Sequence, residues 1–311
     1  MEDHRRRLNW LTMIRRNVVI GFLVVAISDA ARPLDVEPTP ASFRFAVIGD
    51  RTGGHVEGVY GEILDEVQRL RPDFVMTVGD MIEGYTEDST QLNSEWKEYL
   101  GLVDRLSMPI YYTPGNHDIT NEVMRPFYLR YVGEPYYSFD YGDCHFVVID
   151  NAPGGGGPAE PLPEEQWDWL VNDLTDHADA AYTFAFCHKP FWYENRFEGK
   201  PDSLHDLFVQ HGVDAVFTGH YHRYFTAELD GILYTGVGSS GGGARSTFEY
   251  LQYHFMWVTV DDQGIAISPI DKSSVQPWDY VTAENMHLTG RIQQLAVNIS
   301  DAIPVVDDLD I

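Results

Sequence analysis

The chain is short of basic charge, short of cysteine, and without a long apolar run. Its 311 residues carry 21 Lys and Arg against 48 Asp and Glu, a formal net charge of −27. A surface this acidic repels nucleic acid phosphates and anionic membranes, so neither DNA nor RNA is an expected partner. A small anionic substrate remains admissible where a local positive charge, such as a metal ion, overcomes the field. The two cysteines, Cys144 and Cys187, sit inside apolar runs, CHFVVID and TFAFCHKP. With no CxxC pair, a thiolate zinc module and a disulfide framework are both excluded as the organising device. The apolar run from Val18 to Ile27 has ten residues, too few for a comfortable membrane span. There is no internal repeat. The glycine run PGGGGP at 153–158 lacks the Gly-Lys-Ser/Thr ending of a phosphate-cradling loop, and a mobile surface loop is the plainer reading.

What is present suffices for a large core. Hydrophobic residues make up 44% of the chain, with 18 Tyr, 16 Phe and 7 Trp. Arg5, Arg6, Arg7, Arg15 and Arg16 precede the Val18–Ile27 run, and small residues follow near Ala30. That layout is a secretory signal, so residues 1–31 are expected to direct export to a periplasmic or extracellular location, or else to stay as an N-terminal anchor. Next, strand-like runs alternate with helical patterns: FRFAVIGD, GVYGEILDEVQRL, DFVMTVGD, TQLNSEWKEYLGLVDRL and PIYYTPGNHD. The rhythm argues an α/β core with parallel strands. Hairpin signals follow in YYSFDYGDCHFVVID, TAELDGILYTGVG and FMWVTVDDQGIAISPI, which together predict a second, mixed sheet packed on the first. One domain is expected over roughly 41–272. Residues 273–311 read as a C-terminal extension with one helix near Ala283–Leu295 and an acidic end.

Five runs end at residues able to bind metal or move protons: Asp50, Asp80, Asn116-His117-Asp118, His188, and His220 with His222. A lone strand-end aspartate is commonly a helix cap or turn residue. Five such endings are hard to explain as caps, since histidine is not a preferred cap, and strand ends are where open α/β sheets build sites. Residues two apart on an extended segment project together, so His220 and His222 face one site, and Asp50 and Thr52 share a direction. Cys187 then faces away from His188, into the core. Carboxylate, amide oxygen and imidazole without thiolate favour Mn, Fe, Zn or Co. Arg51 and Arg245, beside glycines, are candidates to meet a substrate phosphate. Trp192, Tyr193, Tyr221 and Tyr224 could line a pocket or belong to the core. His145, His177, His205, His211, His254 and His287 have no partner at ligand spacing and read as structural.

The motifs GD (49–50), GDMIE (79–83), GNHD (115–118), CH (187–188) and GHYH (219–222) resemble, in order and spacing, the five motifs of the calcineurin-like metallophosphoesterases. The resemblance spans nearly all of the expected domain. It implies a four-layer α/β/β/α sandwich of two mixed sheets, two transition metal ions, and hydrolysis of a phosphomonoester or phosphodiester. By resemblance, Asp80 bridges both metals, Asn116, His188 and His220 complete the second, and Asp50 and His222 hold the first. Metal-bound hydroxide would attack in line. His117 would assist the leaving group, and Asp118 would orient His117. One departure stands out. Much of the family has Asp-x-His in the first motif, where this chain has Asp50-Arg51-Thr52. The purple acid phosphatase branch substitutes a tyrosine three residues after the bridging aspartate, where this chain has Glu83. The first metal is therefore expected to bind weakly, or with help from His55, Glu83 or Tyr85. The alternative to an enzyme is a metal-poor relative that binds a phosphorylated ligand or a partner protein.

Overall fold

Phe43, Phe45 and Val47 project from one side of strand β1 (Phe43–Ile48), and Ala46 and Ile48 from the other, and both sides are buried. A strand apolar on both faces has to lie inside a layered structure. The structure, a computed structural model, describes residues 42–159, 161–243, 251–272 and 274–291. Helix α1 (Val59–Leu70) leads to β2 (Phe74–Thr77), and α2 (Ser89–Val103) to the two-residue β3 (Ile110–Tyr111). Both connections join parallel strands. Asp88 starts α2 by accepting hydrogen bonds from the backbone N–H groups of Thr90 and Gln91. After α3 (Arg125–Tyr131) the chain forms a hairpin of β4 (Tyr137–Tyr141) and β5 (Cys144–Val148). Helix α4 (Glu164–Asp176) then crosses to the parallel strand β6 (Tyr182–Phe186). Helices α5 (Phe191–Glu198) and α6 (Ser203–His211) precede β7 (Ala215–Thr218), β8 (Phe225–Leu229) and β9 (Ile232–Gly236). The hairpin of β10 (His254–Asp261) and β11 (Gly264–Asp271) follows.

Two mixed sheets result, ordered β11-β10-β1-β2-β3 and β4-β5-β6-β7-β9-β8. Their facing sides bury an aromatic core. Phe45 is fully buried, with ring centroids 5.1 Å from Phe74, 5.4 Å from Phe184 and 5.5 Å from Phe146. The far face of the first sheet packs Ala46, Ile48 and Val75 against Ile63, Leu64 and Val67 of α1 and Leu92, Trp96 and Tyr99 of α2. The far face of the second packs against Leu170, Leu174, Leu207 and Phe208 of α4 and α6. The α/β/β/α sandwich implied by the motifs is therefore the observed architecture.

One expectation needs correction. The turn signals point the β10–β11 hairpin to the second sheet, but it extends the first, with β10 antiparallel to β1 from Phe43↔Val260 to Ile48↔Phe255. A turn signal fixes the hairpin but not which sheet edge it covers. Both cysteines are buried and free, as expected, and burial pushes the Cys144 thiol up to about 11. Beyond β11, Trp278 Nε1–H donates to Thr235 Oγ1 at 2.8 Å, and Thr226 N–H donates to the Val281 carbonyl at 3.0 Å. This stretch thus packs on the β8–β9 hairpin. Residues 283–291 are helical, while the remainder of the expected helix, the acidic end and residues 1–31 lie outside the described residues.

Candidate metal centre

Asp50 follows β1, Asp80 follows β2 and Asn116 follows β3, all in the first sheet, while His188 follows β6 and His220 and His222 follow β7 in the second. The sandwich brings the ends of both sheets together, and all six candidate ligands converge. The local backbone is built for this. A Cβ on Gly115 would lie 2.3 Å from Asp80 Oδ1, and one on Gly219 would lie 2.3 Å from Asp50 Oδ1. Glycine precedes these ligands because another ligand's carboxylate crosses over it. Asp80, His220 and His222 adopt φ of 58°, 75° and 52°, the left-handed region that side chains other than glycine rarely occupy. Each costs on the order of 1–3 kcal/mol, and such strain gathers at functional sites.

Two groups of donors share Asp80: Asp80 with His188 and His220, and Asp80 with Asp50 and His222. In the first group, His188 Nε2 lies 2.9 Å from Asn116 Oδ1, 3.2 Å from His220 Nδ1 and 3.3 Å from Asp80 Oδ2. In the second, His222 Nε2 lies 3.2 Å from Asp50 Oδ2. Metal bonds of about 2.0–2.1 Å give ligand-to-ligand edges of roughly 3.0–3.4 Å, so the donors already sit at polyhedral spacing. Asp50 Oδ1 is buried without a hydrogen-bond partner, as a carboxylate oxygen aimed at a cation would be.

Outer partners fix the ligand atoms. His188 donates its Nδ1–H to the Val78 carbonyl at 2.6 Å, and His222 donates its Nδ1–H to the Gly243 carbonyl at 2.8 Å, which leaves each Nε2 lone pair facing the centre. Asn116 donates its amide N–H to Tyr85 Oη at 2.7 Å, turning Oδ1 inward. Burial opposes charge on His188, but the Asp80 carboxylate overrides it and raises the imidazole to about 9. Burial also works against the Asp80 carboxylate, but His188 and His117 outweigh it and hold Asp80 well below the usual range. Burial and the neighbouring His188 charge bring His220 down to about 3.

Two site expectations are corrected. Asp118 does not orient His117. Its buried carboxylate accepts from the backbone N–H groups of Met81 at 2.8 Å, Gly115 at 2.8 Å, Asp80 at 2.9 Å and Ile82 at 3.2 Å. It therefore pins together the two loops that carry Asp80 and Asn116. His117 is oriented instead by the Glu83 carbonyl, which accepts its Nδ1–H at 2.7 Å, and by Tyr85, whose ring meets it edge-on with centroids 4.5 Å apart. Arg51 does not face a substrate. It is buried, donates to the Met81 carbonyl at 2.9 Å and pairs with Glu98. Arg245 lies outside the described residues.

His55 stands in neither ligand group, and its Nδ1 lies 2.6 Å from Glu83 Oε1. Burial raises the Glu83 carboxylate, but the Thr52 hydroxyl and then the His55 ring and backbone N–H outweigh that and hold it near 2. Trp192 and Tyr224 are buried in the core. Sequence reasoning missed Asn151. Its buried Oδ1 accepts from the backbone N–H groups of His188 and Lys189, both at 3.0 Å, and its amide donates to the Lys189 carbonyl at 2.8 Å. A polar residue just past the apolar run of β5 was the available signal.

A carboxylate shared between two imidazole-bearing groups, at the joined ends of a two-sheet sandwich, is an arrangement that could hold a pair of metal ions. The family model for calcineurin-like phosphoesterase matches residues 43–224, more than half of the chain, and the chain belongs to that family. It is 25% identical over 266 residues to purple acid phosphatase 15 of Arabidopsis thaliana, covering 68% of this chain and 48% of that protein. It is 30% identical over 173 residues to the human serine/threonine-protein phosphatase CPPED1, covering 49% of this chain and 54% of that protein. The chain thus spans about half the length of these curated relatives. Among solved structures, a dimetal phosphatase from Danio rerio superposes with a TM-score of 0.58 at 14% identity, over 76% of this chain and 99% of that one. Purple acid phosphatase PPD1 from yellow lupin superposes with a TM-score of 0.59 at 16% identity, over 78% and 54%.

Proposed function

We propose that this protein hydrolyses phosphoesters with two transition metal ions, Mn, Fe, Zn or Co, held by Asp50, Asp80, Asn116, His188, His220 and His222. The observation that carries the reading is Asp80, one carboxylate common to two ligand groups. Two such ions, when bound, clamp a phosphoryl group and supply a nucleophile at neutral pH. The protein's own groups do the rest. His117 has its Nδ1–H committed to the Glu83 carbonyl, so Nε2 is the atom that exchanges a proton with substrate. A Cβ on Gly53 would lie 3.1 Å from His222 Nε2 and 3.7 Å from His117 Nε2, so His117 works beside the first metal position. Protonated at Nε2, it gives that proton to the departing alkoxide or aryloxide oxygen. Asp118 and Asn151 position the loops and touch no reacting atom.

The named relatives are phosphatases, which favours monoesters over diesters as substrate. Side-by-side turnover of para-nitrophenyl phosphate and its bis-ester tests this, and a clear preference for the bis-ester would reverse it. Export is proposed from residues 1–31 alone. No described helix is long and apolar enough to cross a membrane.

A further inference from the structure

A second cluster of imidazoles and carboxylates lies at the opposite end of the second sheet from the catalytic centre. Asp140 on β4 pairs across the hairpin with His145 on β5, and His145 pairs with Thr183 on β6. Thr183 precedes His188 by five residues, roughly 16 Å along a strand. The β5–α4–β6 crossover returns the end of α4 to this edge, bringing Asp173 and His177 over His145. His145 is 1% exposed, an unusual depth for an imidazole with a carboxylate at each nitrogen.

Asp173 fixes both histidines. Its carboxylate lies 2.9 Å from His145 Nε2, and its backbone carbonyl accepts the His177 Nδ1–H at 2.8 Å. A ring nitrogen committed to a carboxylate or carbonyl is the usual partner arrangement behind a ligating histidine. The two remaining nitrogens, His145 Nδ1 and His177 Nε2, lie 2.7 Å and 3.9 Å from the two oxygens of Asp140. Ser138 Oγ donates to the other oxygen of Asp173 at 2.6 Å and holds it in place. An open cleft of about 260 Å³, lined by Asp140, Asp143, His177 and Asp179, gives solvent access.

We propose that Asp140, His145 and His177 form a third metal site, specific for a divalent transition ion such as Zn²⁺ or Co²⁺ and independent of the catalytic pair. The three ligand atoms lie within 4.8 Å of one another. The two rings are stacked with centroids 3.9 Å apart, so coordination requires the partly exposed His177 to rotate toward Asp140 while His145 and Asp140 stay near their present places. The ion replaces the proton shared by His145 Nδ1 and Asp140, which is released to solvent. Two imidazoles and one carboxylate leave a fourth tetrahedral position for water. The donor set discriminates against Mg²⁺ and Ca²⁺, which take oxygen ligands.

The test is metal stoichiometry of the full chain after loading with Zn²⁺ or Co²⁺ and desalting, for wild type, Asp80→Ala, His177→Ala and Asp140→Asn. Asp140→Asn keeps an acceptor for His145 and so guards against a folding defect. The expected result is that His177→Ala and Asp140→Asn each lose one equivalent relative to wild type while hydrolysis is unchanged. Asp80→Ala should lose catalytic ions yet keep the equivalent that His177→Ala removes. Equal stoichiometry in wild type, His177→Ala and Asp140→Asn would overturn the site. Because the readout is a difference between these variants, it is separable from any failure of the hydrolase reading.

Discussion

The Nδ1–H of His117 donates to the backbone carbonyl of Glu83 at 2.7 Å, and the same residue's carboxylate holds His55. His117 is thereby fixed with Nε2 toward the centre while touching no ligand through its ring. His117→Asn should leave metal content near wild type and reduce turnover by about 10²–10⁴, the range for losing a positioned acid or base. The deficit should narrow for esters with good leaving groups, which need less protonation. Loss of metal in this variant would make His117 a ligand and remove the role given to it.

Asn151 holds the backbone at His188 through two N–H groups. Asn151→Ala should lower affinity for the second metal by about 10–100-fold, the usual cost of removing an outer-shell partner. Calorimetric metal titration reads this directly. An unchanged affinity would show that β6 alone fixes His188.

The first metal position has Asp50, Asp80 and His222, whereas the second adds an amide oxygen to Asp80 and two imidazoles. Thr52 offers only a hydroxyl, a far poorer donor to a transition metal than imidazole. The first ion should therefore bind at least about tenfold more weakly, a difference of roughly 1.4 kcal/mol. His55 is turned to Glu83, so His55→Ala should leave that weaker affinity unchanged. A collapse of first-site affinity in His55→Ala would mean that the glycine-rich loop folds back to ligate, and equal affinities in wild type would refute the weakened site.

Phe45 sits fully buried between the sheets against Phe74, Phe146 and Phe184. Phe45→Ala should destabilise the fold by about 3–5 kcal/mol, the transfer loss plus the cavity left behind. Denaturant unfolding measures it, and a loss below that range would indicate that the two sheets close the gap.

Much of this arrangement was legible in the sequence because strand-end residues are local. Asp50, Asp80, Asn116, His188, His220 and His222 each follow an apolar run, and the sandwich needs only to align those runs. The partners of Asp118, Arg51 and the β10–β11 hairpin were not legible. Asp118 reaches backbone N–H groups 36 to 38 residues away, and Arg51 finds Glu98 47 residues on. No residue type or spacing encodes such contacts. His145 and His177 read as structural for a related reason: what joins them is the crossover of α4, visible only once β5 and β6 are adjacent.

The most direct measurement is turnover of para-nitrophenyl phosphate by chelator-treated protein before and after adding Mn²⁺, Zn²⁺ or Co²⁺, with Asp80→Ala in parallel and metal content determined on each sample. The account predicts no hydrolysis without metal, recovery with it, and neither catalytic metal nor activity in Asp80→Ala. Undiminished hydrolysis by the metal-free protein, or by Asp80→Ala, would contradict it.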